Sequence, residues 1–565
     1  MILTATPFLW EQMFHAPLEQ RFGPAPDELI DFAAQAGYAA LSPAMPDQDC
    51  SAALQAALAA LPAALQQKLA PRLLGIFFVN GDCPALVELI AGQDREPVGA
   101  VLLLDLRAIA GAAPQQRVAA SQSLLLQALD AARHAWLAEP AGAFPRIASR
   151  SAATQACLDL IAQPGLPFLG LAPFARLSAA DGDMRAAAQA LLELAQREEH
   201  NPALWMNLST AFFAMGQREL GLTMQSQALQ AQRLYALPAA RQPASLRLLL
   251  LMAAGDLAEN TPLDCLLEHS DVELLLYYAS ADAPLPAVLP EHDILQVAIS
   301  DTKANRPLLR ALEPLLAQWE KPVLNLPQHI PHTERSAASA LLQRAPGIAM
   351  PPTREAARET LQAIACAPAQ AGTIFDGCAF PLIVRPVGSH AGRDLERIAD
   401  GAELAAYLER VADAAFYVSR FIDYSGADGL FRKMRIALIA GQPFVCHMAV
   451  SSHWMIHYVN AGMYQDAAKR AEEAAFMQRF DDFARRHRAA LDAIVRRSQL
   501  DYVCIDCAET RDGELLVFEI DHAMVAHAMD PEHLFPYKQA PMRAVRQAYE
   551  RMLHAAALAA AGAVQ

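Results

Sequence analysis

Apolar residues fall along the chain in two spacings, and their changes divide it into four stretches. In residues 1–145, Leu73–Val79 and Val98–Leu106 are apolar runs of strand length. Asp49–Leu69 and Arg117–Leu137 carry apolar positions at helical spacing, so a small α/β region is predicted. Residues 146–244 keep helical spacing, notably over Met184–Glu198 and Ala203–Tyr235. In residues 245–355, Val272–Tyr278, His292–Ile299 and Pro322–Leu326 read as buried strands. A helix over Asn305–Gln318 separates the last two, and another follows over Ser336–Gln343. This alternation predicts an open α/β sheet, with Asn325-Leu-Pro leaving a strand where ligands often approach such sheets. Pro351-Pro352-Thr353 marks an extended linker.

The last stretch, residues 356–565, opens with the strand Phe380–Arg385, stopped by Pro386 and followed by the loop Val387–Gly392. A helix over Leu404–Val411 and a strand over Phe416–Asp423 come next. Met434–Ala440 is predicted to pair with Phe444–Val450 across Gly441-Gln442. Helical spacing returns over Ala467–Arg497 and Ala540–Ala557. The fold class is therefore α/β with an α-helical portion. Within Ala203–Tyr235, the residues Trp205, Leu208, Phe212, Gly216, Gly221 and Ala228 resemble the large and small positions of a tetratricopeptide repeat. A plain helical hairpin accounts for the same residues.

Composition narrows the function classes. At 54% hydrophobic and 19% charged residues, the chain can bury sizeable cores, and its net charge of −16 argues against a nucleic-acid or anionic-membrane surface. The longest apolar run, around Leu246–Ala254, is too short to span a bilayer. The first residues lack a basic segment followed by a long apolar one, so no signal peptide is expected. Nine scattered cysteines suit reduced thiols in a cytoplasm. Cys504 and Cys507 form a C-x-x-C, but on a strand they face opposite sides, against redox or zinc chemistry.

The densest chemistry lies in Leu500–His522, LDYVCIDCAETRDGELLVFEIDH. Asp512-Gly513 between two apolar runs predicts a hairpin with a two-residue type I′ turn. That register sets Asp506 opposite Glu519, with Asp521 on the same face. Opposed like charges destabilise a sheet, and a cation removes the objection. Oxygen ligands of this kind suit Mg²⁺, with phosphates completing its shell. An exposed acidic sheet face is the plainer alternative. Basic residues complement the acids: Arg385 ends a strand, Arg435 sits within one, and Ser389, His390 and backbone N–H groups of the Gly388–Gly392 loop are available to phosphate.

This order of elements resembles the ATP-grasp superfamily, of the D-alanine–D-alanine ligase and ribosomal-protein glutamate ligase type, from about Leu274 to Leu553. IDCAETRDGELLVFEID is similar to that family's metal hairpin, PLIVRP to its nucleotide-contacting strand, and FYVSRFID to its hinge. The resemblance implies an ATP-grasp fold over 356–565 preceded by its companion α/β domain over 245–355. It implies ATP, with Mg²⁺ or Mn²⁺ held by Asp506, Glu519 and Asp521. Arg335, Arg385 and Gly392 are implied at the phosphates, backbone groups of Ser419, Arg420 and Phe421 at adenine, and Arg435 at the transferred phosphate. His453, His457 and Asn460, in the run HMAVSSHWMIHYVNAGM, are implied to border the substrate. Zinc at His453 and His457 lacks an obvious third ligand. Departures are Arg385 and Arg335 where Lys is usual, Arg420 where Glu is common, and Asp521 in place of Asn.

The implied reaction is ligation of a carboxylate to an amine or thiol through an acyl phosphate, releasing ADP and phosphate. The substrate is a small molecule or a peptide, and the helical stretch offers a platform for a protein or peptide partner. Two rivals remain at this level: a helical scaffold, and a pseudo-ligase that binds nucleotide without catalysis.

Overall fold

The computed structural model describes three strands within residues 73–105 and, beyond them, residues 152–563 except 181, 196, 199, 376–377, 390–391 and 527–528. Two compact units are present. One comprises Met1–Gln155 with Asp181–Asp183, the other Ala156–Ala180 with Met184–Gln565.

In the first unit, β1 (Leu73–Val79) pairs in parallel with β3 (Pro97–Asp105), which pairs antiparallel with β2 (Ala85–Ala91). Both predicted strands are present, and β2 was not anticipated. The helices expected over 49–69 and 117–137 lie outside the described residues.

The second unit begins with helices, including Met184–Ala195, Pro202–Ala214 and Arg218–Ala231. Asn201 starts the second of these: its side chain accepts from the Ala203 N–H at 3.1 Å, with Pro202 at the first helical position. The turn to the next helix needs Gly216, whose φ is +73°. At Gly221 a Cβ would stand 2.5 Å from the Phe213 ring, so a small residue there lets the two helices close up. One flank of this hairpin, through Met206, Ala228 and Leu229, joins a hydrophobic core with the sheet that follows.

That sheet has the order β4-β6-β5-β7-β8, from β4 (Leu234–Leu237), β5 (Leu246–Ala253), β6 (Val272–Ala279), β7 (Ile294–Val297) and β8 (Val323–Leu324). Only β4 runs antiparallel. Tyr235, placed by its spacing at the end of a helix, belongs to β4. Alternate residues of β5 enter different cores, Leu249 and Leu251 one and Leu248 and Leu250 the other. A strand buried on both faces reads as an unbroken apolar run, and LRLLLLMA, noted from the sequence only as too short to span a bilayer, is one.

Two further sheets build the C-terminal part. The smaller has the order β10-β13-β11-β12, from β10 (Thr353–Ala357), β11 (Leu382–Pro386), β12 (Glu396–Ile398) and β13 (Ala415–Arg420). Leu382, Val384, Phe416 and Val418 turn one face onto the helices Arg358–Cys366 and Gly401–Arg410. By alternation, Arg385, Tyr417 and Ser419 occupy the opposite face.

The larger sheet has the order β15-β14-β16-β17-β9, from β9 (Ile348–Ala349), β14 (Phe431–Ile439), β15 (Gln442–Ser451), β16 (Tyr502–Glu509) and β17 (Leu515–Asp521). Met434, Ile436, Val503, Ile505 and Cys507 pack with Phe480, Phe483 and Ile494 from the predicted helical region. That region is three helices, Ala467–Gln478, Phe480–Arg486 and Arg488–Ser498. Truncating a residue such as Ile505 to Ala would cost roughly 2–5 kcal/mol. Ala437, Ile439, Tyr502 and Cys504 meet Val545, Tyr549 and Met552 of the helix Gln539–Ala563. Cys504 and Cys507 thus enter different cores, as strand alternation requires. The β14–β15 turn is Ala440-Gly441, both with positive φ, one residue earlier than predicted. Among the described residues no helix is long and apolar enough to cross a membrane.

Candidate active site

Asp506 on β16 is the Cα partner of Glu519 on β17, and Cys504 of Asp521. Asp506 therefore opposes Glu519 as predicted, by a different route. The loop is Arg511-Asp512-Gly513, closed by a hydrogen bond from the Gly513 N–H to the Thr510 carbonyl at 3.0 Å, with Gly513 at φ +79°. Three-residue loops of this kind shift the pairing by one. A bulge at Phe518, between the Cys507–Val517 and Asp506–Glu519 pairs, shifts it back. A second bulge, between Arg435 and Ile436, lies at the same level in the β14–β15 pair.

Arg435 on β14 is the cross-strand partner of Asp506. Its Nε donates to Asp506 Oδ1 at 2.8 Å, its Nη2 to Oδ2 at 3.1 Å, and its Nη1 to the Val525 carbonyl at 3.1 Å. Lys433, two residues earlier and so on the same face, brings its Nζ to 2.8 Å from Asp506 Oδ2 and donates to the Ile456 carbonyl at 3.2 Å. Asp506 is only 1% exposed. Burial works against its charge, but Arg435 and Lys433 outweigh burial and hold the carboxyl well below the usual carboxylate range. Lys433 is not among the site residues expected from the sequence, although period-two alternation from Arg435 points to it.

Arg335 opens the helix Arg335–Leu342, whose N-terminus is capped by the Glu334 carboxylate accepting from the Ser336 and Ala337 N–H groups at 3.0 and 2.9 Å. Its guanidinium donates to Glu519 Oε2. Burial would raise the Glu519 pKa, but Arg335 holds it below the ordinary value. Asp521 is raised, chiefly by burial, with His522 opposing. Its Oδ1 accepts from the Ala523 N–H at 2.9 Å and lies 3.6 Å from His522 Nδ1. The fully buried His522 also has Nε2 3.0 Å from the Ile299 carbonyl.

Arg385 is 8% exposed and has no carboxylate partner among the described residues. Its Nε donates to Ser389 Oγ at 3.1 Å and its Nη2 to the Ser389 carbonyl, so the side chain organises the start of its own glycine loop. Burial and the neighbouring Arg335 push the guanidinium down to about 10. Two guanidiniums thus share a region in which one carboxylate, Glu519, is bridged to Arg335 and also offsets the charge of Arg385 in part. His390 lies outside the described residues. Gly392, at φ +74°, is covered by His457, whose Nε2 would be 2.4 Å from a Cβ there. That nitrogen is buried and without a hydrogen-bond partner among the described residues. Burial first and Lys433 second lower the His457 pKa, favouring the neutral ring.

The other predicted residues are less concentrated. Ser419 shares the Arg385 face of β13, paired with Thr353 and Ile383. Arg420 is exposed. The Phe421 N–H already donates to the Pro381 carbonyl at 3.0 Å, so it is not free for a base. His453 is an exposed loop residue whose Nδ1 accepts from the Met455 N–H at 3.2 Å. Asn460 caps the same run, its Oδ1 accepting from the His457 N–H at 2.9 Å. Asn325 is fully buried, donating to the Tyr502 carbonyl at 2.9 Å and accepting from the Asp501 and Tyr502 N–H groups at 2.9 and 3.1 Å. It clasps the ends of two strands instead of facing a ligand.

The donor set can be tested against a divalent cation. Among the described residues, no group of three or more His, Cys, Asp or Glu is arranged to hold a metal ion. Both Asp506 oxygens face protein cations. Glu519 and Asp521, two apart on β17, remain as a carboxylate pair, which suits Mg²⁺ when phosphate oxygens and water supply its other ligands.

No protein-family model matches the chain, and a search of curated proteins finds no match. Among solved structures, the chain is similar to a RimK domain ATP-grasp protein from Sphaerobacter thermophilus, at 18% identity over 55% of this chain and 99% of that one, with a TM-score of 0.33. It is also similar to the VanG D-Ala:D-Ser ligase from Enterococcus faecalis, at 12% identity over 55% and 99% of the two chains, TM-score 0.36. A third is the ATP-grasp ligase PsnB, complexed with precursor peptide PsnA2 and AMPPNP, at 13% identity over 55% and 99%, TM-score 0.31.

Proposed function

We propose that this chain is an ATP-dependent ligase of ATP-grasp type that joins a carboxylate to an amine or thiol through an acyl phosphate. The observation that carries the reading is Arg385: a buried guanidinium beside Arg335, lacking a carboxylate partner among the described residues. A buried charge without a partner is costly. A polyphosphate supplies several anionic oxygens at once, in the geometry a guanidinium fork accepts.

Arg385 and Arg335 bind the phosphates and fix their orientation against β17. Binding draws Arg335 from Glu519 and frees that carboxylate. Glu519 and Asp521 would hold Mg²⁺, which would supply charge neutralisation at the phosphates. Arg435, fixed by Asp506 and the Val525 carbonyl, presents its guanidinium where charge develops during transfer. His457 covers the Gly392 end of the loop and limits water there.

A substrate carboxylate has a pKa near about 4 and is ionised at neutral pH, so its attack needs no base. One of its oxygens forms a bond to the γ-phosphorus while the bond to the ADP oxygen breaks. The acceptor then attacks the acyl carbon, the acyl–phosphate C–O bond breaks, and inorganic phosphate leaves carrying the proton the acceptor gives up. The substrate is a small molecule or a peptide end, and the hairpin around Trp205 is a platform for a peptide partner.

The test is incubation with ATP, Mg²⁺, a panel of amino acids, small acids and peptides, and hydroxylamine. A hydroxamate formed with ADP and phosphate supports the reading. AMP and pyrophosphate would replace it with adenylation.

A further inference from the structure

The contacts of Asp506 differ in kind from those of the other two carboxylates. Arg435 grips it across both oxygens at 2.8 and 3.1 Å, and Lys433 Nζ adds a third cationic contact at 2.8 Å to Oδ2. Glu519 faces one guanidinium and is partly exposed. Asp521 faces a histidine and one N–H group and is also partly exposed. The hairpin is electrostatically divided. Its β16 side carries one carboxylate against two protein cations, whereas its β17 side carries two carboxylates against one, Arg335.

We infer that Lys433 is a built-in cation occupying the place a second divalent ion would need, so that the site takes a single divalent ion on Glu519 and Asp521. This rests on the ATP-dependent reading of the same site. Three observations support it. The Lys433 ammonium is 16% exposed, and its other contact is the Ile456 carbonyl. Displacing it from Asp506 would therefore leave a largely buried charge without its counter-ion. A dication at Asp506 would stand against both Lys433 and Arg435, a like-charge encounter in a region of low polarity. Placement is local as well: Lys433 and Arg435 are two apart on β14, so the strand itself aims both at Asp506.

The consequence is a count. Mn²⁺ is a paramagnetic probe for this class of site, and its binding to the full chain can be followed by electron paramagnetic resonance with AMP-PNP present, with no turnover required. The wild-type chain should bind one Mn²⁺ per bound AMP-PNP. Lys433→Met removes the ammonium and leaves Asp506 Oδ2 with Arg435 as its remaining cationic contact, so it should bind a second Mn²⁺. Lys433→Gln serves the same comparison if the first variant does not fold. Two Mn²⁺ per nucleotide on the wild-type chain would overturn the inference while leaving the ATP reading intact. One Mn²⁺ on a folded Lys433 variant would overturn it too, assigning the exclusion to Arg435. Absence of any AMP-PNP binding to the wild type would remove the ATP reading and the inference with it.

Discussion

Arg435 and Asp506 face each other across β14 and β16, joined by hydrogen bonds of 2.8 and 3.1 Å, with the carboxylate almost wholly removed from solvent. This ion pair lies at the level of the candidate site on the larger sheet, and a bulge flanks it in each neighbouring strand pair. Three carboxylates close together would repel one another. Arg435, Lys433 and Arg335 are the protein's own answer to that repulsion.

Removing the central carboxylate should therefore destabilise the fold. Asp506→Ala leaves Arg435 and Lys433 without their shared partner, and the loss should be roughly 3–5 kcal/mol, as for other broken buried pairs. Urea denaturation in the absence of nucleotide measures it. A loss under about 1 kcal/mol would place this pair with weak surface bridges.

Glu519→Gln should behave differently. Its bridge to Arg335 is partly exposed, so apo stability should change by no more than about 1 kcal/mol. Nucleotide turnover should fall by on the order of a hundredfold, because a group that anchors charge on the transferring phosphate is lost. Steady-state ADP release checks this, and a folded variant with unchanged turnover would contradict the role.

The predicted pairing of Asp506 with Glu519 holds because two departures from the predicted register cancel, since a one-residue slip alone would have moved the pairing. The predicted two-residue turn is a three-residue loop, yet the bulge at Phe518 cancels the error. Arg385 was legible at the end of a strand and Arg435 within one, whereas Arg335 was legible only through the family resemblance. Lys433 was passed over because a lysine in FRKMR reads as a surface charge until β16 is set beside it. Strand β5 was weighed only as a membrane span, although its unbroken apolar run is the pattern that β6 shares. Asn325 looked like a ligand residue because nothing local reveals its partners, Asp501 and Tyr502, far along the chain. What the sequence could not supply was each side chain's neighbour from another strand.

Acid should weaken the Glu509 corner. His487 Nε2 lies 2.7 Å from the Glu509 carboxylate and Arg486 donates to it at 2.9 Å. The hydrogen bond from His487 is the main cause of its lowered pKa; burial opposes it and Arg486 assists. A lowered folded pKa means the contribution is complete above the unfolded value near about 4.3. It is lost as pH falls through the folded value. Stability measured from neutral pH down to about pH 3 should thus fall less steeply in Glu509→Gln than in wild type over the acid end of that range. Parallel curves would contradict the assignment.

Titration of AMP-PNP with Mg²⁺ into wild type and Arg385→Gln, followed by calorimetry, tests the central claim most directly. The claim is that the buried Arg385 exists to hold phosphate. The wild type should bind saturably. The variant should bind about a hundredfold more weakly, the equivalent of roughly 3 kcal/mol of charge-assisted hydrogen bonding. Its melting temperature without nucleotide should be no lower than wild type, since the substitution relieves the repulsion between Arg385 and Arg335. Equal affinity in the two proteins, or no binding by the wild type, would contradict the account.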